Sequence, residues 1–163
     1  MGMSFAKIGQ ARSWWGEGKE RAISFVRCRL ALYAKRMIST FLVFLGAGIG
    51  GVLRHGVNLA SLKWAGPGFP YGTLAINVVG SGLMGLVAGW FAFKAGEGAP
   101  QDLRLFLTTG ILGGFTTFSA FSLDAILLWE RGEAMLAAGY VLGSVVVSLA
   151  ALVGGLAIMR GLT

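Results

Sequence analysis

One cysteine, Cys28, and one histidine, His55, are all that this 163-residue chain holds of the two side chains most used in metal and redox chemistry. A lone cysteine excludes an intrachain disulfide and any ligand set built on cysteine spacing. His55 stands beside Arg54 with no second histidine, cysteine or carboxylate at ligand spacing, so it is expected at an interface and not on a metal. Charge is scarce as well: 13% of the residues are charged against 55% hydrophobic, and the mean hydropathy is +0.72. That balance excludes an ordinary soluble domain and leaves no room for a separate catalytic one. No nucleophile and base stand together in the apolar stretches, so an enzyme is not expected.

Four apolar stretches are present, at 38–59, 71–93, 103–129 and 134–158. Each exceeds the ~20 residues that a helix needs to cross the hydrocarbon core. The connections carry turn formers, Ala65-Gly66-Pro67-Gly68 in the first and Gly96-Glu97-Gly98-Ala99-Pro100 in the second. The expected fold is an all-α integral membrane protein with four transmembrane helices.

Residues 1–36 form a different region, with eight basic residues against Glu17 and Glu20. Trp14, Trp15, Ile23, Phe25, Val26, Leu30, Leu32 and Tyr33 are mixed among them. The mixture reads as a basic amphipathic leader lying on an anionic lipid bilayer, and no nucleic-acid partner is expected. It lacks the uninterrupted apolar core and cleavage site of a secretory signal. Met37 directly precedes the first apolar run and offers an alternative start, which would leave 37–163 as the working four-helix transmembrane domain and the leader outside it. Without the leader, Lys94, Arg104 and Arg160 fall on one side of the membrane and Arg54, Lys63 and Arg131 on the other. A balanced count gives little preference of orientation, and a small protein inserted both ways can form an antiparallel homodimer. With the leader, the amino terminus is held on the cytoplasmic side and an oppositely oriented partner is required.

The third stretch contains Gly113-Gly114-Phe115-Thr116-Thr117-Phe118-Ser119-Ala120-Phe121. Glycine-broken, hydroxyl-rich chain survives at membrane depth only where protein buries it or it lines a polar path. The third helix is therefore expected to be broken near its middle. Small residues at four-residue spacing mark every helix but the third: Gly46 and Gly50; Ser81, Gly85 and Gly89; Gly139 and Gly143. These let helices approach closely and say nothing about cargo. Tyr140, Ser144 and Ser148 share one face of the fourth helix, and Asn77 lies four residues before Ser81 in the second. The spans thus offer many O–H and N–H donors with Asp124 alone as a deep carboxylate, a balance that suits an anion. Phe118 and Phe121, one turn apart, can present positive ring edges to such an ion. For Asp124 two placements stay open, a pair with Arg54 or an aqueous vestibule.

Taken together, residues 48–54, Gly72-Thr73-Leu74-Ala75-Ile76-Asn77, the Gly-Gly-x-Thr-Thr-Phe-Ser-x-Phe element and the Tyr140, Ser144, Ser148 stripe resemble the Fluc (CrcB) family of small fluoride channels. The resemblance covers Met37 to the carboxyl terminus. It implies a dual-topology antiparallel homodimer with two fluoride pores in the cell's inner membrane. Carried over by position, Phe118 and Phe121 belong to an aromatic box, Asn77 donates to fluoride, and Thr117, Ser119, Tyr140, Ser144 and Ser148 belong to the polar path. Arg54 matches a vestibule arginine. Gly113 and Thr116 match the positions whose backbone carbonyls hold a structural Na+ at the dimer centre, hard oxygen ligands for a hard cation. Ala120 departs from the family's frequent threonine and Asp124 from its frequent glutamate; the leader has no family counterpart.

The expected function is a passive channel through which cytoplasmic fluoride leaves. A small multidrug-type exporter is the alternative transporter, but it would need a carboxylate in the first helix, and 38–59 contains none. A non-transporting membrane assembly protein with a surface-binding leader is the other alternative.

Overall fold

The structure, a computed structural model, describes residues 5–95 and 98–162, with side chains described for residue 21 and from 23 onward. Gly96 and Glu97 of the second connection, and the side chains of Trp14 and Trp15, lie outside that description. Every element among the described residues is helical. In chain order they are α1 (Phe5–Ala65), α2 (Tyr71–Gly89) with a π-helical turn at Trp90–Lys94, α3 (Gln101–Leu105), a π-helical stretch at Phe106–Leu112, α4 (Gly113–Phe115), α5 (Phe118–Glu130) and α6 (Ala134–Gly161). Among the described residues, four helical stretches are long and apolar enough to cross a membrane: Ile23–Ala65, Tyr71–Lys94, Gln101–Glu130 and Ala134–Gly161. The chain is a multi-pass membrane protein.

Two compact units divide the chain, Met1–Ile38 and Ser39–Thr163. In the first, the described residues are helical and the side chains described from 21 to 38 are all exposed. The second holds the bundle. Its helix ends follow from glycine and proline chemistry. Gly66 takes a positive φ of 74° just past α1, and its N–H bonds the Leu62 carbonyl before Pro67 forbids continuation. Past α5, Gly132 has φ 80°, with Gly132 N–H on Trp129 and Glu133 N–H on Leu128, the paired bonds of a Schellman ending.

Inside the bundle the helices meet backbone to backbone. Gly85 of α2 faces the Leu152 carbonyl of α6, and a Cβ built on Gly155 would lie 2.8 Å from the Leu86 nitrogen. On the other side of the bundle, a Cβ on Gly46 would lie 2.8 Å from the Gly110 Cα, and one on Gly50 would lie 2.7 Å from the Phe115 nitrogen. The third span therefore has its own small-residue pair, Gly110 and Gly114 at four-residue spacing, contrary to the expectation that it alone lacked one. Gly114 meets Ala47, where an added Cβ would come 2.8 Å from the Ala47 Cα. Gly139 and Gly143, by contrast, have nothing near them within the protomer. Ser39 Oγ of α1 donates to the Asp102 carboxylate at the start of α3. The small buried core gathers Phe121, Leu128, Ala137 and Tyr140, with Phe69 and Leu74 packed against it.

Two adjacent glycines of α6 separate packing from propensity. Gly155→Ala is expected to destabilise the bundle by about 1–3 kcal/mol through overpacking against α2. Gly154→Ala, with open space around it, should raise the unfolding temperature in detergent slightly, since alanine is the better helix former by roughly 0.5–1 kcal/mol. Equal transitions in the two variants would contradict the close α2–α6 contact.

Candidate functional site

The site begins with two residues that are not helical. Thr116 has φ −76°, ψ 156° and Thr117 has φ −153°, ψ 119°, extended backbone between α4 and α5. The double glycine itself stays helical: Gly113 sits at φ −66°, ψ −36°. The non-helical residues thus lie one turn beyond the glycines, of which Gly114 serves close approach to α1 instead. β-branched threonine accepts extended backbone readily, and Thr117 also supplies the cap of α5, its Oγ1 accepting from the Ala120 N–H at 3.2 Å.

Backbone opened at this depth has to find other partners, and Asn77 of α2 provides them. Its Oδ1 accepts the Thr117 N–H at 2.9 Å while its Nδ2 donates to the Thr117 carbonyl at 3.1 Å. Because an N–H only donates and a carbonyl only accepts, this pair fixes which way the amide points. Nδ2 carries a second hydrogen not used in the clamp. The rerouting has a further result. In an unbroken helix Thr117 N–H would bond the Gly113 carbonyl and Ala120 N–H the Thr116 carbonyl. Both donors go elsewhere, so both of those carbonyls are released from helical pairing.

A cavity of about 260 Å³ lies against this clamp, lined by residues including Asn77, Ser81, Thr117, Phe118, Phe121, Ser144 and Ser148. Two of its hydroxyls behave unlike the others in the spans. Thr108, Thr116 and Ser122 each donate to the carbonyl four residues back, at 2.8, 2.9 and 2.9 Å. Ser144 and Ser148 Oγ are buried and make no hydrogen bond of good geometry, although Ser144 stands close to the Tyr140 hydroxyl. Buried hydroxyls left unmatched are costly, so a polar occupant is the physical expectation for the space they face.

The two phenylalanines stand 5.5 Å apart between ring centroids but are placed very differently. Phe118 is 78% exposed, whereas Phe121 is 8% exposed and belongs to the core. Behind Phe121, at 5.4 Å, lies the ring of Tyr140, fully enclosed, whose hydroxyl donates to Asp124 Oδ2 at 3.4 Å. Tyr140 therefore backs the cavity and does not line it with Ser144 and Ser148. Asp124 opens instead onto a second space of about 330 Å³, lined by residues including Asn58, Thr73, Asp124 and Arg131. Arg131 there bonds the Gly68 carbonyl at 2.7 Å and Glu133 at 2.9 Å. Of the two placements open for Asp124, the structure shows the cavity-lining one, with Tyr140 as its partner.

Of the other expected site residues, Thr116 lines the first cavity. Ser119 is exposed and lies 3.2 Å from Thr117 Oγ1. Gly113 is exposed, and Arg54 is half-buried on α1 and borders neither cavity. Ser81 was assigned to helix packing from its spacing to Gly85, yet it lines the cavity. Its four-residue offset from Asn77 was the signal that placed both on one face of α2.

Known proteins match this bundle closely. The family model described as "CrcB-like protein, Camphor Resistance (CrcB)" matches residues 41–156. A Methylobacterium nodulans protein named "Fluoride-specific ion channel FluC" is 59% identical over 124 residues, covering 76% of this chain and 98% of that protein. A protein of the same name from Rhodopseudomonas palustris is 60% identical over 122 residues, 75% of this chain and 97% of its own. One from Granulibacter bethesdensis is 57% identical over 126 residues, 77% and 98% respectively. With a family model spanning most of its length and relatives this similar along nearly their whole length, the chain belongs to the CrcB family.

Proposed function

We propose that this chain is a passive, fluoride-selective channel that releases cytoplasmic fluoride across the inner membrane. The observation that carries the reading is the pair of Ser144 and Ser148 hydroxyls, buried without a hydrogen bond of good geometry on residues that line a space with no carboxylate. Fluoride is small and strongly hydrated, so a path through lipid has to replace water with donors. Asn77 Nδ2, Ser144 and Ser148 offer them on one side of the cavity, and the edges of Phe118 and Phe121 offer positive potential on another. The names of the three relatives support the same substrate. A cavity walled by hydroxyls, an amide and phenyl rings is a poor site for exchanging a proton against a cationic drug, which disfavours the exporter.

The working unit in this reading is an antiparallel homodimer with two pores. Phe118, at 78% exposure beside an open cavity, is then completed by a partner subunit. The balanced Lys and Arg count of 37–163 supports insertion in both orientations. Arg54 belongs to an entrance and not to the constriction. Tyr140 positions the aromatic wall, and Thr117 and Ser119 extend the polar lining. The carbonyls of Gly113 and Thr116 fit a structural Na+, since both are released from helical pairing and both are uncharged hard oxygens. The ion would tie the subunits together and takes no part in conduction.

Vesicles containing the purified chain should release fluoride rapidly and chloride no faster than empty vesicles; equal release of the two anions would overturn the proposal. Ser144→Ala with Ser148→Ala should slow fluoride at least tenfold, as expected when hydrogen bonds to a charged partner worth about 1.5–3 kcal/mol are lost. Phe118→Ile should slow efflux without changing thermal stability, whereas Phe121→Ile should do both because that ring is in the core. A wild-type rate in Phe118→Ile would assign the ring to packing. For orientation, a chain begun at Met37 should show each terminus labelled from both sides of the membrane, and strictly one-sided labelling would contradict dual topology.

A further inference from the structure

The first unit carries a surface that fluoride conduction does not use. Ile23, Val26, Leu30, Tyr33 and Met37 recur along α1 at alternating steps of three and four residues, which sets them on one helix face. All five are exposed, from 36% at Ile23 to 74% at Met37. Arg27 and Arg29 border this stripe on its two sides, and Cys28 stands opposite its centre. No acidic residue occurs between Glu20 and Glu97. Phe25, an aromatic on the far face, is 62% exposed and has the Arg29 guanidinium over its ring at 5.4 Å, a cation–π contact; it and Leu32 are the exceptions to the pattern.

These residues are not needed to cross the membrane. The apolar stretch Ile23–Ala65 has 43 residues, about 64 Å of helix at 1.5 Å per residue, against about 30 Å of hydrocarbon. Residues 39–65 alone give about 40 Å, enough for the crossing.

Two occupants suit an apolar stripe with three-four spacing. A second copy would pair through it as a coiled coil, but the positions flanking the seam would then be Arg27, Arg29 and Arg36 on both helices, like charge against like charge. An anionic bilayer surface meets the same flanks with opposite charge and takes the stripe at the boundary between headgroups and acyl chains. We propose that residues 23–37 are a surface anchor for anionic lipid, with Ile23, Val26, Leu30, Tyr33 and Met37 facing the acyl chains and Arg27 and Arg29 contacting headgroup phosphates.

The single cysteine makes the test direct. The full chain, reconstituted into phosphatidylcholine vesicles with or without phosphatidylglycerol, is labelled with a fluorophore at Cys28, or at Ala34→Cys in a Cys28→Ser background. Residue 34 lies on the stripe side and residue 28 opposite. With phosphatidylglycerol, spin-labelled lipid should quench the label at 34 several-fold more than the label at 28, and aqueous iodide should do the reverse. High salt, or Arg27→Gln with Arg29→Gln, should erase the difference. Equal quenching at the two positions, or quenching indifferent to phosphatidylglycerol, would overturn the anchor. A response to added duplex DNA in place of phosphatidylglycerol would assign the surface to nucleic acid and overturn it as well. The outcome stands apart from conduction, since it is read whether or not the vesicles release fluoride.

Discussion

Two hydrogen bonds from one side chain make this bundle possible. Lipid offers nothing to an opened backbone, so an extended pair of threonines in a membrane span needs an internal partner. Asn77 is that partner, reaching from α2 to both polar groups of Thr117. Once Thr117 is held extended, its hydroxyl is placed to cap α5, α5 can start afresh, and Phe118 and Phe121 take their positions on its first turn. The same bonds tie α2 to the third span beside Ser144 and Ser148, so the cavity has fixed walls on three elements. Remove the amide and the donors of the cavity lose their frame together.

The aromatic pair shows how a functional surface and a core can share one turn of helix. Phe121 packs with Tyr140 and Leu128, while Phe118 stands largely uncovered three residues earlier. α6 repeats the contrast along its length: Gly155 is pressed against α2, whereas Gly139 and Gly143 have open space. A protomer finished on one side and bare on the other is what the proposed two-pore dimer requires of its subunit.

Much of this was readable in the sequence, and the misreadings share a cause. Hydrophobic run length alone located the four spans, because the bilayer imposes a minimum length. Four-residue spacing placed Tyr140, Ser144 and Ser148 on one face, but periodicity gives a direction and not a depth: Tyr140 lies behind Phe121, bonded to Asp124, and the serines stand at the cavity. Glycine pairs suggested a break at Gly113-Gly114, yet those residues remain helical and the extended backbone falls at Thr116 and Thr117. What decides that position is a contact with Asn77, forty residues away in sequence, which no local pattern encodes.

Restarting a helix within the span also divides its electric field. The peptide dipoles upstream of Thr116 end at Phe115 with their negative pole, beside the released carbonyl of Gly113. Those of α5 begin at Phe118 with their positive pole, equivalent to roughly half an elementary charge at a helix end. Two poles of opposite sign are thus set within a few residues of each other, without an ionisable side chain in either. A field made from backbone does not titrate, so its preference for an anion on one side and a cation on the other holds at any pH the fold survives.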